Sequence, residues 1–317
     1  MQSFITCSLP DGRFMEIPFK KIKLEDRELI EKYLEQKTYR SCELVFVNVY
    51  LWSSKYPVDY AIVEDTLIFR SLAECDGTSI TFPAGEKECI HKAMDVMIQW
   101  FLEQNLEMHL HLVQEPEFEL LNLWYPGMFE ITYDRDSADY VYETEKLITL
   151  AGKKLHGKRN HINKFKETYP DWCYEPITRE NVEECFQMAL EWREINQCEK
   201  DVEKRDEMSV TLNALRLLEE LKLSGGLIRA GGRVVAFAIG EPLNPDTFVV
   251  HIEKAFSDVQ GAYPIINQQF AAHAAKDYLY VNREEDTGSE GLRKAKLSYR
   301  PVFLVDKGMV RKIQGGK

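Results

Sequence analysis

The chain has 317 residues, 44% of them hydrophobic and 29% charged, with a formal net charge of −12. These values fit a globular protein of about two domains, and the negative charge argues against a general binder of nucleic acid or anionic membrane. No apolar run approaches the roughly 18 residues a bilayer-spanning helix needs, and no secretory signal opens the sequence, so a cytoplasmic location is expected.

Residues 1–14 read as an N-terminal extension. A helix is expected from about Leu24, and a second amphipathic segment over 41–52. DYAIVED and TLIFRSL form two short β-runs joined at Glu64-Asp65, and TSITFPAG is a third. Over 86–105, Ile90, Met94, Met97, Ile98, Phe101 and Leu102 recur at helical spacing. A strand over 108–113, a helix from Glu115 and a strand over 129–134 close the first half. The second half takes the same course. Helices are expected over 181–195 and 208–223. A hairpin, LIRA-GG-RVVAFAIG, turns at Gly231-Gly232, where glycine supplies the positive φ angles of a two-residue turn. A strand over 248–256 follows. Pro264 opens a helix at a position where its missing N–H is harmless. A strand over 278–282, a short helix over 291–299 and a strand from Pro301 complete the order.

The two halves therefore repeat one order of elements without repeating residues. The expected division is a first domain over 15–150, a connector helix over 151–169 and a second domain over 170–317. The connector, AGKKLHGKRNHINKFK, carries six Lys or Arg and no acid. The seven cysteines are scattered, with no CxxC pair, so neither a disulfide framework nor a metal site is expected.

This order is similar to the GCN5-related N-acetyltransferase fold in tandem, an α/β class of mixed sheets. Four segments, GKKLHGKRNHINKFK (152–166), HIEKAF (251–256), GAYPIIN (261–267) and NREEDTGSEGLRKAKLSYRP (282–301), resemble the family defined by the C-terminal domain of phosphatidylglycerol lysyltransferase. The resemblance spans most of 15–307. It implies transfer of an aminoacyl group from charged tRNA to an acceptor, which in the lysyltransferases is a membrane phospholipid. Those enzymes join the module to a multi-pass membrane domain. Without such a segment in this sequence, an amine, a peptide and a lipid headgroup all stand as acceptors.

Folds of this type splay two parallel strands and seat the acyl donor in the gap. Here the strands would be 248–254 and 278–282. Side chains alternate along a strand, so His251 and Glu253 face one side and Lys254 the other. Glu253, Asn282, Glu284 and Asp286 are then placed to line one cleft. Acyl transfer needs a base and donors for an oxyanion. Glu253 or Glu284 is the expected base, with Asn282 or a main-chain N–H as oxyanion donor. The bland alternative is ion pairing, with Arg283 and Lys294 neutralising the acids across the turn.

Acetyl-CoA enzymes hold pyrophosphate on a glycine loop before the long helix. In SDVQGAYP, Gly261, Ala262 and Tyr263 occupy that place, but Asp258 puts a repulsive carboxylate beside it. Charged tRNA as donor is therefore preferred to acyl-CoA. Lys153, Lys154, Lys158, Arg159 and Lys164, with His156 and His161, would meet its phosphates. Lys294, Lys296 and Tyr299 would form a second wall. Two rivals remain: an acyl-CoA-dependent N-acyltransferase on a small amine, and a non-catalytic binding or regulatory module.

Overall fold

A computed structural model describes residues 16–35, 40–73 and 77–313. The extension over 1–14 lies outside them. The chain forms two compact units, one of 1–37, 56–134 and 307–317, the other of 38–55 and 135–306.

The first unit holds β1 (Lys20–Lys21), α1 (Arg27–Leu34), β2 (Val58–Val63), β3 (Thr66–Ala73), β4 (Gly77–Thr81), α3 (Lys87–Glu103), β5 (His109–Val113), α4 (Glu115–Trp124) and β6 (Phe129–Tyr133), with α2 (Phe46–Trp52) belonging to the other unit. The second continues with β7 (Asp139–Glu143), α5 (Thr144–Thr149), α6 (His156–Thr168), β8 (Cys173–Pro176), α7 (Val182–Ile195), α8 (Val202–Arg216), β9 (Ser224–Ala230), β10 (Arg233–Asn244), β11 (Thr247–Ala255), α9 (Ala262–Ala274), β12 (Tyr280–Asn282), α10 (Glu290–Leu297) and β13 (Phe303–Val305). The last strand, β14 (Gly308–Lys312), returns to the first unit.

Each sheet has seven strands and is mixed. The orders are β1-β2-β3-β4-β5-β14-β6 and β13-β7-β12-β11-β10-β9-β8. The one parallel pair in each, β4 with β5 and β11 with β12, is bridged by a long helix, α3 or α9. This is the tandem acetyltransferase-like α/β fold that the element order implied. The sequence-based cut at 150 is corrected in one respect. Strand β7 lies between β12 and β13, and β14 lies between β5 and β6, so each sheet contains a strand that the cut assigned to the other half. The expected strand from Pro301 is two strands, one in each sheet.

Local chemistry accounts for the frame. Both residues of the Glu64-Asp65 turn have positive φ, 49° and 55°, as do Gly231 and Gly232 at 58° and 75°, the geometry of tight hairpins. Ile90, Met94, Met97 and Phe101 of α3 are buried with Ile80, Leu110 and Val310 in the core of the first unit. Leu102, expected on that stripe, is exposed. In the second unit α9 buries Ile265, Ile266 and Phe270 against β9, β10 and β11.

Candidate active site

The parallel strands β11 and β12 pair over only three residues each, Thr247–Val249 with Tyr280–Asn282. Beyond Val249 and Asn282 they diverge, and the side chains leaving them meet across the gap.

His251 is the extra residue of a bulge in β11: Ile239 pairs with Ile252 and Gly240 with Val250, leaving His251 between them. Gly240 permits this approach, because a Cβ there would stand 2.2 Å from the Val249 carbonyl oxygen. The His251 ring is buried and lies between two carboxylates. Nδ1 is 2.8 Å from Glu284 Oε1 and Nε2 is 3.1 Å from Glu241 Oε1. Burial opposes the imidazolium, but the hydrogen bonds to Glu241 and Glu284 outweigh it and push the His251 pKa up to about 10. The ring therefore keeps both protons at neutral pH.

Two residues along β11, Glu253 meets Arg283. Arg283 Nη2 donates to Oε1 at 3.0 Å, and Asn267 Nδ2 from α9 donates to Oε2 at 3.0 Å. The guanidinium is flanked by the rings of Tyr299 and Tyr142, at 4.9 and 5.7 Å from their centres. Lys158 of α6 sets its ammonium 4.0 Å from the centre of the same Tyr299 ring. Burial and the neighbouring Arg283 charge lower the Lys158 pKa to about 8, with Glu253 partly opposing them. Two buried polar atoms of this cluster lack a hydrogen-bond partner: Arg283 Nη1, a donor, and Asn267 Oδ1, an acceptor.

The alternation expected along β11 holds. Lys254 points the other way, is buried, and pairs with Glu207 of α8 while its ammonium lies 4.2 Å from the Trp192 ring centre. It is a structural ion pair and does not reach the gap.

Several expected roles are corrected. Asn282 is wholly buried with its amide fully engaged: Nδ2 donates to the Arg40 carbonyl and to Asp139 Oδ2, and Oδ1 accepts from the Glu284 N–H. It shapes the turn, where Glu284 adopts φ 59°, and offers nothing to an oxyanion. Asp286 is buried and accepts from Tyr140, twice from Arg293 and from the Gly288 N–H. The Arg293 hydrogen bonds hold its carboxyl well below the usual carboxylate range, so it is no base. The pairing alternative thus applies at Asp286, through Arg293 in place of Lys294. Lys296 is buried and donates to the Arg283 and Glu285 carbonyls, so it does not form a phosphate wall. Lys294 remains exposed on α10, and Tyr299 is the buried ring between Lys158 and Arg283. Arg159 caps the preceding turn, donating to the carbonyls of Leu150 and Gly152.

On α6 and the short turn before it (Lys153–Leu155), Leu155, Ile162 and Phe165 are buried, while Lys153, Lys154, His156, His161 and Lys164 are exposed. The glycine loop is not open. Gly261 has φ 90°, and a Cβ there would lie 2.5 Å from the His161 carbonyl oxygen and 2.8 Å from Phe165 Cβ. The residue is glycine because α6 lies against it. Ala262 is buried and Tyr263 is half-buried near Trp192 and Ala255. Gly261 is therefore part of the α6–α9 contact.

The sequence reading also missed Glu241, Asn267 and Tyr142. A glycine inside a strand, Gly240, was the available signal for a bulge, and Asn267 stood out as a polar residue between Ile266 and Phe270. Tyr142 lies in a strand that the reading did not identify. No metal site was expected. Cys42 Sγ and carboxylate oxygens of Glu43, Asp139 and Glu285 do lie within 4.8 Å of one another. These four residues are a set that could hold a metal ion, with the Cys42 Sγ 3.3 Å from carboxylate oxygens of both Glu43 and Asp139.

A gap between splayed parallel strands, lined by buried ionisable groups, on a tandem acetyltransferase-like fold defines the class: the architecture is that of aminoacyl and acyl transferases. Residues 35–310 match the family model described as phosphatidylglycerol lysyltransferase, C-terminal, and the chain belongs to that family. Among solved structures, it is similar to a conserved protein of unknown function from Bacteroides thetaiotaomicron, with 38% identity, a TM-score of 0.89, and coverage of 94% of this chain and 100% of that one. The C-terminal domain of a putative lysylphosphatidylglycerol synthetase from Agrobacterium fabrum gives a TM-score of 0.65 at 11% identity, covering 92% of each chain, and so shares the fold. An uncharacterised protein of Mycoplasmoides gallisepticum is 27% identical over 195 residues, and the match spans 60% of this chain and 61% of that protein. Among the described residues no helix is long and apolar enough to cross a membrane.

Proposed function

We propose that the protein moves an aminoacyl group from charged tRNA to an amine, peptide or lipid-headgroup acceptor, and that it does so in the cytoplasm, where charged tRNA is found. Family membership and fold support transfer of an acyl or aminoacyl group. The observation that carries the choice of donor is the contact at Gly261. In an acetyl-CoA enzyme the first turn of the long helix presents free N–H groups to pyrophosphate. Here the backbone of α6 lies against that turn. Lys153 and Lys154, in the turn before that helix, and Lys164 on it face outward, where they suit the phosphates of a polynucleotide end.

Thermal unfolding with each candidate donor tests this. A ligand at about 100 times its dissociation constant adds roughly 2.7 kcal/mol to stability, which raises the midpoint by several degrees. The expected outcome is a rise with charged tRNA and none with millimolar acetyl-CoA, followed by passage of a labelled amino acid into an acid-stable or lipid-extractable product. A rise with acetyl-CoA alone would reverse the choice and favour N-acylation of a small amine. No rise with either would favour the non-catalytic module.

A further inference from the structure

Acyl transfer in the gap requires a group that takes up a proton near neutral pH, and each carboxylate first in view is already tied to a cation. Both oxygens of Glu253 are engaged, by Arg283 and by Asn267. Glu284 is held through one oxygen, Oε1, by the protonated ring of His251, and Asp286 by Arg293 and Tyr140. His251 has no lone pair to give, because both its nitrogens face carboxylates. Burial raises the phenols of Tyr142 and Tyr299 above their ordinary value, so they stay protonated.

Lys158 differs from all of these. Its ammonium rests on the Tyr299 ring and takes no carboxylate partner among the described residues. The groups facing it are Tyr299, Arg283 and Glu253. Of these, Glu253 is already neutralised by Arg283. A second cation placed here without a second anion favours loss of its proton. Arg283 meets the same Tyr299 ring, and its Nη1 is a buried donor with no acceptor.

We propose that Lys158 is the base of the transfer reaction and that Arg283 Nη1 is the donor that receives the carbonyl oxygen as it becomes an oxyanion. This deepens the transferase reading and rests on it. The acceptor's N–H or O–H attacks the ester carbonyl carbon of the aminoacyl donor, and its proton passes to Lys158 Nζ. The carbonyl oxygen takes up the electron pair against Arg283 Nη1. When the pair returns, the bond from carbon to the ribose oxygen breaks, and Lys158 gives its proton to that oxygen. Lys158 ends neutral and the protons balance. Glu253 and Asn267 act as positioning residues that hold Arg283.

The test is the pH dependence of kcat in Lys158→Arg, Lys158→Gln and Arg283→Lys, with direct titration of Lys158 by NMR of 13C-labelled lysine. In the wild type, kcat should rise with pH through about 8, in step with the Lys158 signal. Lys158→Arg keeps the positive charge but cannot lose its proton, so it should lose about 10²–10⁴-fold in kcat with little change in donor KM. Lys158→Gln should lose as much and flatten the profile. Arg283→Lys retains a cation against Glu253 yet lacks the second donor, and should lose roughly 10²–10³-fold in kcat. Retention of wild-type kcat and pH profile by Lys158→Arg would overturn the proposal. So would a Lys158 signal that titrates with the ordinary lysines, whatever the donor proves to be. A wild-type chain idle with charged tRNA but active with acetyl-CoA would sink the donor reading instead, and the same variants run with acetyl-CoA then decide the role of Lys158.

Discussion

Two groups of buried charge in the second unit have opposite balance. His251 sits between Glu241 and Glu284, one cation with two anions, whereas Lys158 and Arg283 share Glu253, two cations with one anion. The first group is a stabilising device. Its raised histidine pKa means that the folded state binds the proton more tightly than the unfolded chain does. That contribution, on the order of a few kcal/mol, is therefore fully present below the unfolded value near 6.5 and is lost as pH rises through about 10. The His251 ring signals should accordingly show no titration between pH 5 and 8 by NMR. Replacing Glu241 by glutamine should bring the titration down toward that range and remove most of the pH dependence of stability above pH 8. A histidine that titrates near 6.5 in the wild type would refute this account.

At the scale of elements, the question is how much of this was legible from residues alone. Periodicity found α3 because it buries a regular stripe, Pro264 marked the start of α9, and the Gly-Gly and Glu-Asp turns marked both hairpins. The gap between β11 and β12 followed from the fold resemblance, and the opposite directions of Glu253 and Lys254 from alternation. Partners did not. Asn282, Asp286 and Lys296 read as cleft residues because strand ends usually face ligands, but each is tied to a group distant in sequence, such as Arg40, Tyr140 or the Arg283 carbonyl. The pairing of Asp286 with Arg293 is local and open to a sequence reading, but the ties to Arg40 and Tyr140 have no local signal. The basic run over 153–166 illustrates the same limit, since equal charges at 153, 158 and 159 have three fates: exposed, set on an aromatic ring, and capping a turn.

The contact of α6 with α9 makes a prediction at this scale. Gly261→Ala would place a methyl group 2.5 Å from the His161 carbonyl, on a backbone with φ 90° that L-residues rarely adopt. Strain and displacement together should cost about 1–3 kcal/mol, visible as a lower urea midpoint with an unchanged slope. Because α6 carries Lys158, the same variant should also weaken transfer. Unchanged stability would show that the two helices are not tightly fitted there.

For the whole molecule, the reciprocal placement of β7 and β14 means that neither sheet is completed by a continuous stretch of chain. Strand β14 hydrogen-bonds to β5 on one side and β6 on the other, and its Val310 is fully buried in the first core. A chain ended at residue 306 would leave those two strands with unpaired inner edges and a void where Val310 packs. Calorimetry should then show loss of the transition belonging to the first unit. A truncated chain that unfolds like the intact one would mean that β14 contributes little.

The same topology governs the order of events during synthesis. Strands β1 to β6 have all been made by Tyr133, but their sheet lacks an interior member until residues 308–312 leave the ribosome. At typical elongation rates of about 5–20 residues per second, that interval is roughly 10–30 s. Throughout it the nascent first unit presents two open strand edges and an unfilled core to the cell. A chain stalled before Gly308 should therefore be cut by protease within the first unit, whereas the released chain should resist. The burden of this architecture falls on whatever shields nascent chains, long before any substrate is met.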